Sequence, residues 1–322
     1  MPSADTNKPV PALEPTTQQF IDEVAAEQWL LLDLPAEARA AFARLQSEPV
    51  GKPSVRTEDT SFPGGPTGLV PVRIIRSGKT EEPPPVLVYC PGGRWIGGDV
   101  DTHDRLLREI AVGTGAAVVA ICYDRAPEAQ HPVAIEQAYA ATAYLAAHAQ
   151  ELGFDPTRLA IAGDCVGAAI ATVVTLLARE RRGPKIDLQV LVCPVVDADF
   201  STPSYTTFAE GPWLTKAAMQ RAWDAYLPDV GRRTEITAAP GRASPEQLIN
   251  LPDALVIAAE NDVTRDEAEC YARKLSDAGG RVTSVRYNGT IHDFPVLNAL
   301  ADTPAARAAI AQIINALNAA FI

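Results

Sequence analysis

The chain is short of the residues that build disulfide frameworks, metal centres and nucleic-acid surfaces. Its 322 residues include five cysteines and four histidines. Cys90, Cys122, Cys165, Cys193 and Cys270 are odd in number, far apart and form no C-x-x-C, so neither a disulfide framework nor a zinc-ligand spacing is suggested. Positive charge is scarce: 28 Lys and Arg stand against 40 Asp and Glu, a formal net charge of -12. That balance argues against a nucleic-acid partner. No apolar run reaches the roughly 18–20 residues that span a bilayer, so no membrane span is expected. The opening MPSADTNKPVPALEPTTQQ has no basic region followed by an apolar core, so no signal peptide is expected. A reducing, cytoplasmic setting is the default for such cysteine usage.

What is present is an ordinary globular balance, 47% hydrophobic and 21% charged residues. Short apolar runs rich in Val and Ile predict strands at 71–75, 86–90, 116–123, 158–163, 188–195, 254–260 and 282–287. Several are apolar throughout, as strands buried on both faces are. Helical patterns fill the gaps at about 103–112, 133–150, 166–182, 264–278 and 303–321. Alternating strand and helix implies an α/β fold, a mainly parallel sheet with helices on both faces. Two segments depart from the alternation, 1–48 with its helical stretch 16–46, and 199–230. They are expected to pack as a helical cap on a single domain spanning 1–322, over the carboxyl edge where open sheets bind ligands. The Pro-rich stretches 49–66 and 82–85 read as linkers.

Between the strand-like RLAIAG and a helical run lies G-D-C-V-G, Gly163 to Gly167. This is the outline of the G-x-S-x-G elbow, with Cys165 at the nucleophile position. Small residues on either side suit a tight turn, and the start of a helix favours a thiolate. The Val166 N–H would face a developing oxyanion. Asp262 follows a strand, and His292 follows the last strand thirty residues on. The order nucleophile, acid, histidine is that of α/β-hydrolases. His292 would take the thiol proton, with Asp262 fixing its tautomer. Asp266 and Asp293 are rivals to Asp262; the first lies in the next helix and the second is adjacent to His292 in sequence. His103, His131 and His148 read as capping or solvated. After the strand VLVYC comes PGGRW, whose Gly92 and Gly93 bring N–H groups close to a carbonyl oxygen without obstruction.

These motifs resemble the hormone-sensitive-lipase family of α/β-hydrolases, in its bacterial carboxylesterase branch. That family carries H-G-G-G-W, D-Y-R-L-A-P-E, G-D-S-A-G-G, D-P-L-R-D-E and G-x-x-H-G-F. The chain has PGGRW (91–95), CYDRAPE (122–128), GDCVGA (163–168), DVTRDE (262–267) and GTIHDF (289–294), in the same order. The resemblance implies an α/β-hydrolase fold, a Cys165–His292–Asp262 triad, and oxyanion donors from Gly92, Gly93 and Val166. It implies ester hydrolysis on a small-molecule acyl substrate, without cofactor or metal, and it leaves a homodimer open through the last strand and C-terminal helix. The departures are pronounced. Cysteine replaces serine, Pro91 the leading histidine, Arg94 the third glycine, and Val263-Thr264 the Pro-Leu. One Ser-to-Cys change would suggest an engineered variant; several changes together suggest natural divergence.

A thiol nucleophile would form a thioester acyl-enzyme, resolved by water or by another acceptor as in an acyltransferase. A resting thiolate–imidazolium pair is expected, the thiol drawn down from about 8.5. A non-catalytic ligand-binding relative is the reading of a different class. Arg94 and Trp95 are candidates for the acyl or acidic end of a substrate pocket, although pairing of Arg94 with Asp99 or Asp101 is the plainer expectation. Trp213 is a candidate acyl-pocket wall. Tyr123, Glu128 and His131 read as support beneath the elbow, and Asp164 as a loop holder.

Overall fold

The computed structural model describes residues 12–24, 35–47, 49–78 and 82–322. Two helices come first, α1 (Pro15–Val24) and α2 (Pro35–Leu45), and the segment between them lies outside the described residues. A two-stranded antiparallel unit follows, β1 (Arg56–Pro63) with β2 (Leu69–Arg76). The chain then alternates: β3 (Val86–Cys90), α3 (Asp104–Thr114), β4 (Ala117–Ile121), α4 (Val133–Ala147), β5 (Leu159–Asp164), α5 (Cys165–Glu180) and β6 (Leu188–Val192). Three helices interrupt, α6 (Pro203–Thr207), α7 (Lys216–Tyr226) and α8 (Pro245–Leu248). The alternation closes with β7 (Asp253–Asn261), α9 (Arg265–Asp277), β8 (Val282–Ile291) and α10 (Pro304–Ala320).

The eight strands form one sheet in the order β1-β2-β4-β3-β5-β6-β7-β8. From β4 to β8 every pairing is parallel. The expected α/β class is therefore the observed one, and the physical reason is burial. All residues of β3, β4 and β6 are buried, since helices cover both faces. Their sequences, VLVYC, AVVAI and LQVLV, are apolar but for the buried Gln189, as such strands require.

The sequence reading missed β1. Residues 49–66 were expected to be a linker, yet Arg56 to Pro63 pair in register with Arg76 to Leu69. RTEDTSFP is polar because it is an edge strand with Phe62 as its one buried residue. Without a buried face its pattern carries no strand signal.

A parallel sheet places the carboxyl ends of its strands on one edge. Here β3 leads to PGGRW, β5 to Cys165, β7 to Asp262 and β8 to His292. Among the described residues no helix is long and apolar enough to cross a membrane.

Candidate active site at the carboxyl edge of the sheet

Cys165 is the first residue of α5 and has φ 52°, the left-handed region. L-residues enter that region at a cost and persist there when the surroundings fix them. Those surroundings are tight. A Cβ at Gly167 would overlap the Cys90 carbonyl oxygen, and one at Gly163 would overlap the Gly167 backbone. The two glycines thus let α5 start directly against β3 and β5, holding Cys165 at the turn. Its carbonyl accepts from Val195 N at 3.1 Å.

Asp262 and His292 meet Cys165 at this edge. His292 Nδ1 donates to Asp262 Oδ2 at 2.7 Å, and both side chains are buried. Thr264 fixes the carboxylate from two directions, its N–H to Oδ1 at 3.0 Å and its Oγ1 to Oδ2 at 2.8 Å. Sequence reasoning passed over Thr264, although Asp-x-Thr at a strand end is an Asx-turn signal. Asp266, the rival acid, binds Ser204 N and Arg265 instead.

Asp293 lies on the opposite side of the imidazole. Its Oδ2 is 3.3 Å from His292 Nε2, a contact that is close but not aligned as a hydrogen bond. Its backbone has φ 56°. Cys165 Sγ, a His292 ring nitrogen and an Asp293 carboxylate oxygen lie within 4.8 Å of one another.

Burial sets the electrostatics. Cys165 is 1% exposed, and burial lifts its thiol above the ordinary value; His292 opposes the shift and Asp293 adds to it. The expected depression of this thiol is therefore corrected: desolvation outweighs the imidazole. Burial also works against charge on His292, but Asp262 and Asp293 outweigh it and hold the imidazolium well above its usual range. Asp293 is pushed up to about 8 by burial, with His292 opposing and Asp164 and Asp262 adding.

The PGGRW loop departs from expectation at three places. The Gly92 N–H is not turned to the site, because it donates to Asp164 Oδ1 at 3.1 Å. Asp164 also accepts from Tyr89 Oη at 2.8 Å and lies 3.1 Å from His103 Nε2. A buried carboxylate needs such donors, and they make Asp164 the clamp between the elbow and the loop. His103 is accordingly buried here rather than capping α3 or solvated. Trp95 does not line the site; it is 1% exposed, stacked on Tyr226 at 4.1 Å and edge-on to Trp223 at 4.9 Å. Asp99 and Asp101, the acids expected beside Arg94, pair with Arg125 and Arg73, and Arg94 is buried rather than solvated. It is 8% exposed, and burial draws its guanidinium down to about 10, Cys165 opposing.

A narrow cavity of about 30 Å³ opens beside Cys165, lined by Phe42, Gly93, Arg94, Trp213, Leu214 and His292 among others. Phe42 comes from α2, and Trp213 packs on Phe20 of α1 at 5.1 Å. A larger hollow of about 450 Å³ lies beside Arg39, Arg125 and Glu128, without Cys165 or His292 in its lining. Glu128, expected beneath the elbow, is instead an exposed partner of Arg39. Tyr123 does brace the loop, its hydroxyl donating to the Pro91 carbonyl, and His131 packs edge-on to Tyr226.

A family profile described as the alpha/beta hydrolase fold matches residues 87–296, a span that contains Cys165, Asp262 and His292. The chain belongs to that family, in its hormone-sensitive-lipase branch. Among relatives, carboxylesterase NlhH of Mycobacterium tuberculosis is 35% identical over 316 residues, covering 96% of this chain and 97% of that one. A thermostable esterase from Pseudomonas putida superposes with a TM-score of 0.94 at 41% identity, covering 98% of this chain and 99% of that chain. A serine-to-alanine variant of the esterase rPPE, solved with (S)-Ac-CPA, gives the same TM-score, identity and coverage.

Proposed function

We propose that this family member is an ester hydrolase of the carboxylesterase type in which Cys165 is the nucleophile. The observation that carries the reading is the 2.7 Å bond from His292 Nδ1 to Asp262, which leaves Nε2 on the side of Cys165. Esterases among the similar proteins favour the same reaction.

In this reading the neutral form of His292, whose proton affinity Asp262 and Asp293 raise, takes the Cys165 proton at Nε2 as sulfur attacks the ester carbonyl carbon. Asp262 stabilises the imidazolium that forms. Backbone N–H groups of Gly93 and Val166 receive the oxyanion. The tetrahedral adduct expels the alcohol, protonated by His292, and leaves a thioester on Cys165. His292 then deprotonates water, which attacks the thioester and returns the thiol. The helices α1 and α2 and the 199–230 segment act as a cap: Phe42, Trp213 and Leu214 wall the cavity. The narrowness of that cavity, about 30 Å³, favours a short acyl group over a long one.

The test is intact-protein mass spectrometry after mixing with p-nitrophenyl acetate, timed against p-nitrophenol release. Continuous release with a transient acetyl adduct on Cys165, both absent in Cys165→Ala, is the expected result. Release that continues undiminished in Cys165→Ala would sink the thiol nucleophile. A persistent adduct discharged by an added amine or thiol would instead favour acyl transfer.

A further inference from the structure

Two departures from the family's motifs converge on one point in space. The motif G-D-S-A-G-G has serine where this chain has Cys165, and G-x-x-H-G-F has glycine where it has Asp293. Each change adds a metal-ligating group beside His292. We propose that Cys165 Sγ, His292 Nε2 and Asp293 form a binding site for Zn²⁺, whose occupancy blocks the nucleophile.

The donor set is the first argument. Thiolate, imidazole and carboxylate together suit a borderline-soft divalent cation with tetrahedral preference, leaving a fourth position for water. The distances are the second. With Zn–N and Zn–O bonds near 2 Å and tetrahedral angles, the N and O ligands stand about 3.3 Å apart. His292 Nε2 and Asp293 Oδ2 are 3.3 Å apart. The matching S to N separation is about 3.6 Å, and the three groups lie within 4.8 Å of one another.

The state of the polar atoms is the third argument. His292 Nε2 and Asp293 Oδ1 are both buried without a hydrogen-bond partner. The Nε2 to Oδ2 contact is off-axis for a donor and acceptor, as two ligands sharing one cation are. The fourth is the outer shell. Zinc-bound histidines commonly give their other N–H to a carboxylate, which fixes the tautomer and raises ligand basicity. Asp262 does this at 2.7 Å and is itself held by Thr264. The charge also suits a cation: a thiolate and the Asp293 carboxylate face the metal position, with the Asp262 carboxylate behind the imidazole.

The binding claim stands on this geometry; the blocking of turnover rests on the thiol-nucleophile reading. The experiment therefore reads binding first. The full chain, stripped with a chelator, is titrated with Zn²⁺ against a chromophoric zinc indicator, and with Co²⁺ for its near-ultraviolet thiolate-to-metal band. One Zn²⁺ per chain and a thiolate band are expected for the unsubstituted protein. Cys165→Ser should lose the band. Asp293→Gly should bind at least about tenfold more weakly, the scale seen when even an outer-shell partner is disturbed. Glycine is at ease at φ 56°, so that variant folds without new strain. Absence of stoichiometric uptake, a band that survives in Cys165→Ser (which would place the metal on another thiol, exposed Cys270 or Cys193 beside Asp262 and His292), or equal affinity in Asp293→Gly would each overturn the site. In a second arm, equimolar Zn²⁺ should abolish p-nitrophenyl acetate turnover and chelator restore it. Zinc uptake by a protein inert without metal would leave the site standing and remove the esterase reading.

Discussion

Asp293 Oδ2 stands 3.3 Å from His292 Nε2, across the ring from Asp262. The imidazole that would activate Cys165 is thus bracketed by two carboxylates, and the second faces the thiol. A negative charge there opposes a thiolate, and Asp293 does add to the upward shift at Cys165 that burial begins. Asp293→Asn removes the charge and keeps the shape. The pH midpoint for alkylation of Cys165 by iodoacetamide should then fall below that of the unsubstituted protein. Alkylation is read at Cys165 by peptide mass spectrometry, since Cys270 is exposed. An unchanged midpoint would show that the carboxylate does not act on the thiol.

The same carboxyl has a stability consequence. Asp293 titrates at about 8 in the fold against an ordinary 3.8, because burial disfavours its charge. The folded chain therefore binds a proton that the unfolded chain gives up, and stability falls as pH rises between those two values. Asp293→Asn has nothing to ionise and should flatten this slope. Urea unfolding at pH 5 and pH 8 checks it: the unsubstituted protein should lose more stability over that interval than the variant. Equal losses would mean that Asp293 ionises freely in the fold.

Thr264 binds both oxygens of Asp262, through its N–H and its hydroxyl. Valine keeps the shape and the N–H and loses the hydroxyl bond to a charged acceptor. Such bonds contribute about 1.5–3 kcal/mol, and part of that loss should appear as about a tenfold fall in kcat. KM should stay near its original value, because Thr264 does not line the cavity. Thr264→Ser should restore most of the rate. A rise in KM alone would place Thr264 in substrate binding.

The parts legible in the sequence were those with a repeating physical cause. The central strands β3 to β7, buried on both faces, showed as apolar runs, and β2 and β8 showed through their Val and Ile; edge strand β1, with Phe62 its one buried residue, did not. Chain order and strand ends named Cys165, Asp262 and His292, because a parallel sheet gathers its carboxyl ends on one edge. Directions and partners were not legible. Gly92 looked like an oxyanion donor until Asp164, 72 residues on, claimed its N–H. Trp95 looked like a pocket wall, but a φ of 58° goes with a ring packed onto Tyr226, 131 residues away. The Cys165, His292 and Asp293 cluster escaped for the same reason: His292 and Asp293 are neighbours in the chain, but only the fold brings Cys165 to them.

If the cavity beside Cys165 holds the acyl group, Trp213 should set how much chain it admits. It lines the space beside Cys165 together with Phe42 and Leu214, and its ring leans on Phe20 of α1. Trp213→Ala removes a large ring from the wall without touching Cys165, His292 or Asp262. Relative kcat/KM for p-nitrophenyl butyrate over acetate should rise. A methylene in an apolar pocket contributes about 1–3 kcal/mol to discrimination, so a two-carbon extension that newly fits should gain about tenfold or more. Loss of the contact with Phe20 should also lower thermal stability, and the ratio of the two substrates is unaffected by that loss. An unchanged ratio would mean that the acyl chain leaves the site by another wall, and the Phe42 side would be next to truncate.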